Sequence, residues 1–340
     1  MTAALVLVIS MVASAGPADE VKLGEAMVNR GKAKIGLKVL QKALKTEGMA
    51  DDTRARALAA VGVAYLQLHK PKKAVTALVE STGLAPKKER SWLLLGMAQD
   101  SAGSFDAAVA TYEKGVKTNP KSWRLLYELG MTYIERGKVK RGVKALDRAI
   151  AINGRDTQLL TDHAFALTLV GEFERARESA QLAISRSPRS PDAHYNLASA
   201  EAGLGHTKKA RLAFEKTVAL DPMHVPAYYR LGLLEMAAGR YKSAARSFIH
   251  VLKIDKSHER ARAQLGLALG ELKDDKKALR YLQKAVHTDP KFTRGHVMLA
   301  EIAARAGHYD EAIAHYRLVK ELRPKDKKVD ARIAELKKLR

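Results

Sequence analysis

The chain has 340 residues, no cysteine, 6% aromatic residues and a formal net charge of +23 with a pI near 10. The lack of cysteine excludes disulfides, thiolate metal sites, cysteine nucleophiles and an acylated lipoprotein cysteine. A balance this basic points to nucleic acid, anionic lipid, an acidic polymer or simple solubility, and the placement of the charges has to decide among them.

The sequence opens with MTAALVLVISMVASA, in which residues 3–12 form an apolar run too short to span a bilayer. Ala13, Ser14 and Ala15 make a small-residue cleavage pattern, followed by Gly16 and Pro17. Residues 1–15 therefore resemble a short secretory signal peptide, although no Lys or Arg precedes the apolar run. The competing reading is a hydrophobic helix packed on the first structural unit. Cleavage makes the protein periplasmic or secreted, and retention leaves it cytoplasmic.

Eight segments then follow at an unbroken 34-residue spacing: 55–88, 89–122, 123–156, 157–190, 191–224, 225–258, 259–292 and 293–326. A weaker copy fits 17–50, and residues 51–54 are an insertion that lengthens this one junction. The unit is clearest at 191–224, PDAHYNLASAEAGLGHTKKARLAFEKTVALDPMH. Its positions 4, 7, 8 and 11 share one helix face, as do 20, 24, 27 and 28, so each half is an amphipathic helix. Gly205 permits the turn between them and Pro222 ends the second. Position 8 is Gly or Ala in all nine copies, and so is position 20, which lets two helix backbones approach closely. A glycine recurs at position 15, with His69 and Lys273 as exceptions. One such pair cannot bury both apolar faces alone, so the copies must stack. Residues 327–340, KKVDARIAELKKLR, carry a final apolar stripe of Val329, Ile333 and Leu336 on a basic helix, suited to capping the stack.

On these positions the chain resembles the tetratricopeptide repeat family over almost its whole length. The resemblance implies an all-α, right-handed superhelical solenoid of helical hairpins whose first helices line a concave groove. It implies no enzyme and no cofactor, and the residues agree: there is no Walker loop, no HExxH and no dinucleotide fingerprint, and the scattered histidines suggest no metal site. Trp92, Tyr228 and His296 at position 4, Tyr65 and Tyr133 at 11, and Tyr112, Phe248 and Tyr316 at 24 are expected in the core.

Across the eight regular repeats the first helices sum to −2, whereas positions 15–34 sum to +19. A groove that grips an acidic ligand would show the reverse. The basic stretch Lys138, Lys140, Arg141 and Lys144 opens a second helix. It reads either as a solvated outer face or as a contact for an anionic surface, such as lipid headgroups or an envelope polymer. If the protein is cytoplasmic, the same face could hold nucleic acid or another polyanion.

The family's groove-facing positions place Met97, Tyr127, Met131, Phe165, Tyr195, Tyr229 and Met236 in the concave strip, with acidic Asp100 and Glu135 among them. Tyrosine and methionine offer large apolar area with few polar demands, as a peptide with apolar anchors requires. The carboxylate clamp of co-chaperone members is only partly matched. Asn196 and Arg230 fit it, whereas Thr161, Phe165 and Pro226 do not. The expected function is thus a protein–protein interaction scaffold that binds a peptide or protein segment, in envelope assembly, secretion or export.

Overall fold

In the computed structural model, residues 16–340 are described, and the signal-peptide reading of residues 1–15 lies outside them. Nineteen helices follow one another, with no strand among the described residues. In order they are α1 (Pro17–Asn29), α2 (Ala33–Ala43), α3 (Asp51–Gln67), α4 (Pro71–Leu84), α5 (Glu89–Ser101), α6 (Phe105–Thr118), α7 (Trp123–Glu135), α8 (Val139–Ile152) and α9 (Thr157–Val170). They continue as α10 (Phe173–Arg186), α11 (Pro191–Gly203), α12 (Thr207–Leu220), α13 (Val225–Ala237), α14 (Tyr241–Ile254), α15 (Glu259–Glu271), α16 (Asp275–Thr288), α17 (Thr293–Arg305), α18 (Tyr309–Leu322) and α19 (Lys327–Leu339). Odd-numbered helices from α1 to α17 are the first halves of repeats, even-numbered ones the second halves, and α19 is the basic terminal helix. None is long and apolar enough to cross a membrane.

The small residue at position 8 has a specific partner, the large side chain at position 24 of the same repeat. A Cβ on Gly24 would lie 2.5 Å from Leu40, on Gly62 2.5 Å from Leu78, and on Gly232 2.6 Å from Phe248. Leu40, Leu78, Tyr112, Leu146, Phe248 and Leu282, all at position 24, are fully buried. Burying each contributes roughly 2 kcal/mol. At Gly24, Gly62, Gly96, Gly130, Gly232 and Gly266 this slot closes the hairpin and explains why an apolar but bulky residue is absent from position 8.

The turn inside each hairpin needs a left-handed residue. Gly31, Gly103, Gly137, Gly171, Gly205, Gly239 and Gly307 have φ between 69° and 80°. His69 (φ 54°) and Lys273 (φ 60°) take the same conformation despite their Cβ atoms. The turn is thus set by the packing of its helices, and these two residues bear strain there.

The insertion at 51–54 is an extra helical turn rather than a longer loop: α3 runs 17 residues from Asp51. Asp51 and Asp52 suit the positive end of the helix dipole. Arg54 anchors the added turn by bonding the Leu44 carbonyl at 3.2 Å and Glu80 at 3.2 Å.

Two hydrogen bonds recur at the junctions between repeats. Position 34 caps the next helix: Ser122, Asp156 and Ser190 accept from the backbone N–H three residues on, and His224 and His258 do so through Nδ1. Position 4 reaches back to the carbonyl at position 32. Trp92 donates to Pro86 at 2.7 Å and Arg262 to Lys256 at 2.6 Å, while His194 and His296 pair with Pro188 and Pro290 at 3.1 and 3.0 Å. The expected core positions follow suit. Trp92, His296, Tyr133, Tyr112, Phe248 and Tyr316 are buried, while Tyr65 and Tyr228 are half-buried against core clusters.

The helices gather into two compact units, Met1–Glu172 and Phe173–Arg340, so the division falls between α9 and α10, inside the repeat 157–190. In the first unit each helix packs on the next, and α1, α3, α5 and α7 also meet in succession. In the second unit α13, α15 and α17 do the same. Along these runs the first helices therefore lie side by side, on the face where the peptide groove is expected.

Candidate functional site

In the first unit the expected groove residues sit on α5, α7 and α9. Met97 is 46% exposed and Phe165 40%, so both offer apolar surface. Met131 and Tyr127 are half-buried. The Tyr127 hydroxyl donates to Asp162 Oδ2 at 2.7 Å, which ties α7 to α9 and fixes the ring; burial and this carboxylate both push the phenol up.

In the second unit Tyr195, Tyr229 and Met236 are half-buried. Tyr195 lies edge-on to Phe214 (5.6 Å between centroids) and against His224 (4.9 Å). Tyr229 repeats this with Phe248 (5.9 Å) and His258 (5.1 Å). The two histidines are the ones that cap α13 and α15. Each tyrosine is thus clamped between a core aromatic and a capping imidazole, and Tyr229 and Met236 also pack against the core cluster of their repeats. These rings are fixed in orientation and present only part of their area, as a preorganised platform does.

The electrostatics of the inner layer differ from what helix-by-helix sums suggest. Asp100 on α5 and Glu128 and Glu135 on α7 act on one another's titration. Asp100 is pushed up to about 6, first by burial and then by Glu135, against a smaller pull from Arg136. Glu128 is raised by burial, then by Asp100 and Glu135. Beneath them lies Tyr112, fully buried in the slot left by Gly96, its phenol raised by burial and then by Glu128 and Asp100. Its hydroxyl faces the Asp100 carboxylate, which also acts on it, and Gln99 Oε1, Asp100 Oδ1 and Tyr112 OH are all buried. Asp100 and Glu135 were legible as groove residues. The part played by Tyr112 was not, because position 24 is otherwise a core position.

Lys138, Lys140, Arg141 and Lys144 are all exposed at the start of α8. In the second unit a cavity of about 700 Å³ opens among α12, α13 and α14, lined by Lys208, Arg211, Arg240, Arg246, His250 and Glu235, among others. Two of those cations are engaged internally, Arg211 with Glu215 at 2.5 Å and Arg240 with the buried Glu235. No cluster of three or more metal-ligating side chains occurs among the described residues.

Comparison with known proteins bears on both fold and family. Three family models described as tetratricopeptide repeat match the chain, one at 65–192, one at 271–337 and one at 170–224, 198–257 and 224–291. No curated protein sequence matches it. Among solved structures, the C-terminal part of a TPR repeat-containing protein from Cytophaga hutchinsonii is 15% identical, with a TM-score of 0.57 over 72% of this chain and 99% of that one. PilF of Pseudomonas aeruginosa is 16% identical, with a TM-score of 0.56 over 63% and 97%. The APC/C hetero-tetramer Cut9-Hcn1 is 14% identical, with a TM-score of 0.54 over 88% of this chain and 59% of that one. These likenesses establish the fold, a solenoid of helical hairpins. With the matched segments together running from residue 65 to 337, the chain belongs to the tetratricopeptide repeat family.

Proposed function

We propose that the protein is a non-enzymatic scaffold that takes a peptide or protein segment on its first-helix face. Its tetratricopeptide repeats support the role of protein–protein interaction scaffold. The observation that carries the finer reading is the state of the position-5 tyrosines. Tyr127, Tyr195 and Tyr229 are half-buried and held, by Asp162, His224 and His258 respectively, rather than free to turn. Such fixed amphipathic rings in both units, together with exposed Met97 and Phe165 in the first, offer apolar anchor sites at low entropic cost.

Selection of random 12-residue displayed peptides on the full chain tests this. Peptides with spaced apolar anchors should emerge, and Met97→Ser with Phe165→Ser should weaken those that bind the first unit by about tenfold. These positions are better targets than Tyr195 or Tyr229, whose rings also support the core. Failure to select any peptide, or full affinity in the double variant, overturns the reading.

We extend the proposal to export and a role in envelope assembly or secretion, on the strength of the apolar run and cleavage pattern in residues 1–15. N-terminal sequencing of the natural protein should begin at Gly16, and an intact Met1 would exclude it. A second reading, polyanion binding, is favoured by the exposed Lys138, Lys140, Arg141 and Lys144 and the cation-lined cavity of the second unit. It requires heparin retention that falls steeply with salt and that depends on those side chains.

A further inference from the structure

The cavity of about 700 Å³ in the second unit lies between two second helices, α12 and α14, with Leu231 and Glu235 of α13 beneath. Its lining residues are distinct from the groove residues Tyr195, Tyr229 and Met236. A local departure from the repeat opens it. Position 19 is a long cation at Lys73, Arg141, Lys209 and Lys277, and position 23 is Tyr281 or His315 in the two repeats that follow. In α14 these positions are Ser243 and Ser247, so two short hydroxyl side chains line the cavity where longer ones stand elsewhere.

Four cations line the cavity, Lys208, Arg211, Arg240 and Arg246, against two carboxylates, Glu215 and Glu235. Both carboxylates are already taken. Glu215 accepts from Nη1 of Arg211 at 2.5 Å, and the buried Glu235 accepts from Nε of Arg240. Each guanidinium keeps its other N–H groups for a ligand. Lys208 and Arg246 form no ion pair among the described residues, so four cations less two carboxylates leave an excess of two positive charges. Arg246 is held beside a lining hydroxyl by donating to Ser243 Oγ at 3.1 Å. His250 is held by stacking on Tyr228, 4.8 Å between centroids and 8° from parallel. Apolar area is present too: Leu231 is buried in the lining and Leu212 is 58% exposed.

We propose that this cavity binds a phosphate monoester carried on a small organic body. A monoester carries roughly −1.5 to −2 at neutral pH, which answers the excess of two charges. Its terminal oxygens accept from the free guanidinium edges, the Lys208 ammonium and the hydroxyls of Thr207 and Ser243. A single carboxylate brings half that charge. A bare phosphate would leave most of the cavity empty, whereas small organic ligands occupy sites of about 300–1,000 Å³. Leu212 and Leu231 provide the surface for that organic part. The proposal is independent of the peptide groove. For this cavity it replaces the polymer of the polyanion reading with a discrete ligand, because a bounded space with a fixed set of charges and hydroxyls selects one group.

Isothermal titration calorimetry of the full chain, at neutral pH and fixed ionic strength, tests this with phenyl phosphate, phenyl sulfate and inorganic phosphate. The sulfate keeps the ring with one charge fewer, and inorganic phosphate keeps the charge without the ring. Phenyl phosphate should bind at a single site, about tenfold tighter than either of the others. Lys208→Gln with Arg246→Gln should remove that preference and leave the unfolding midpoint unchanged, since both side chains are exposed. Ser243→Leu fills the space without altering charge and should also abolish binding. Equal affinity for phenyl phosphate and phenyl sulfate, or no binding of phenyl phosphate, overturns the proposal. Undiminished binding by Ser243→Leu would put the anion on the open surface and overturn it as well. Retention on heparin by a protein that does not bind phenyl phosphate would leave the polyanion reading standing and overturn this one alone.

Discussion

The α5–α7 stretch of the first unit and the α11–α13 stretch of the second handle negative charge in opposite ways. In the second, Glu201 and Glu235 stand at position 11 of successive repeats, each 4% exposed and each bonded to position 16 of its own repeat, His206 or Arg240. In the first, position 11 is Gln99 or Tyr133, and the acids move to Asp100, Glu128 and Glu135, where no cation of the chain closes on them. An acid matched within its repeat contributes to the scaffold. An acid left unmatched is a cost to the folded protein.

The largest expected effect comes from closing the slot that lets Tyr112 reach the acids. Gly96→Val places side-chain atoms where the Tyr112 ring lies. It should cost about 3 kcal/mol in urea unfolding. Arg240→Gln breaks the matched case. It leaves Glu235 buried without its partner and should lower the unfolding midpoint more than neutralising an exposed pair such as Lys22–Asp19 does.

Asp100→Asn should act in the opposite direction. Asp100 titrates at about 6 in the folded protein against 3.8 for the ordinary carboxylate, so the folded state binds this proton more tightly. The native protein therefore loses stability as pH rises from 3.8 to 6 and stays penalised above that window. The variant should be more stable by about 1 kcal/mol at neutral pH, after allowance for partial exposure, and the gain should fade as pH drops through the same range. Equal signs for Arg240→Gln and Asp100→Asn would erase the contrast between the units.

The smallest effect is a control in both units. His69→Gly and Lys273→Gly relieve left-handed strain at the same turn position. Each should stabilise by about 0.5 kcal/mol, since the lost strain is partly offset by the greater freedom of glycine when unfolded. Similar gains would show that the units differ in charge and not in the quality of their turns.

Much of this was legible in the sequence because a strict period ties residue type to position. The Gly or Ala at position 8, the turn at 15 and the terminal helix at 327–340 all appear where the repeat puts them. Two features were not. Residues 51–54 read only as an insertion that lengthens a junction because they break the register, yet the register concerns side-chain contacts, and a helix extends backward through any residues that can carry it. The acidic cluster of Asp100, Glu128 and Glu135 was hidden by summation. The first helix of 123–156 is neutral overall, because Arg124 and Arg136 offset Glu128 and Glu135 on paper. Arg136 instead lies on Phe105, and Arg124 on Trp123, so the arithmetic cancels charges that the packing separates.

The junction bonds have a consequence for how such a chain can grow. The acceptor at position 32 is a backbone carbonyl, which every residue provides, so one repeat asks nothing of the side chain its neighbour offers there. Removing residues 259–292 would bring His258 to the start of α17 as its cap and His296 to the Lys256 carbonyl. Both halves of the new seam are already of the right kind. Whole units can therefore be duplicated or lost without a compensating change elsewhere, and selection is free to alter the inner layer one repeat at a time.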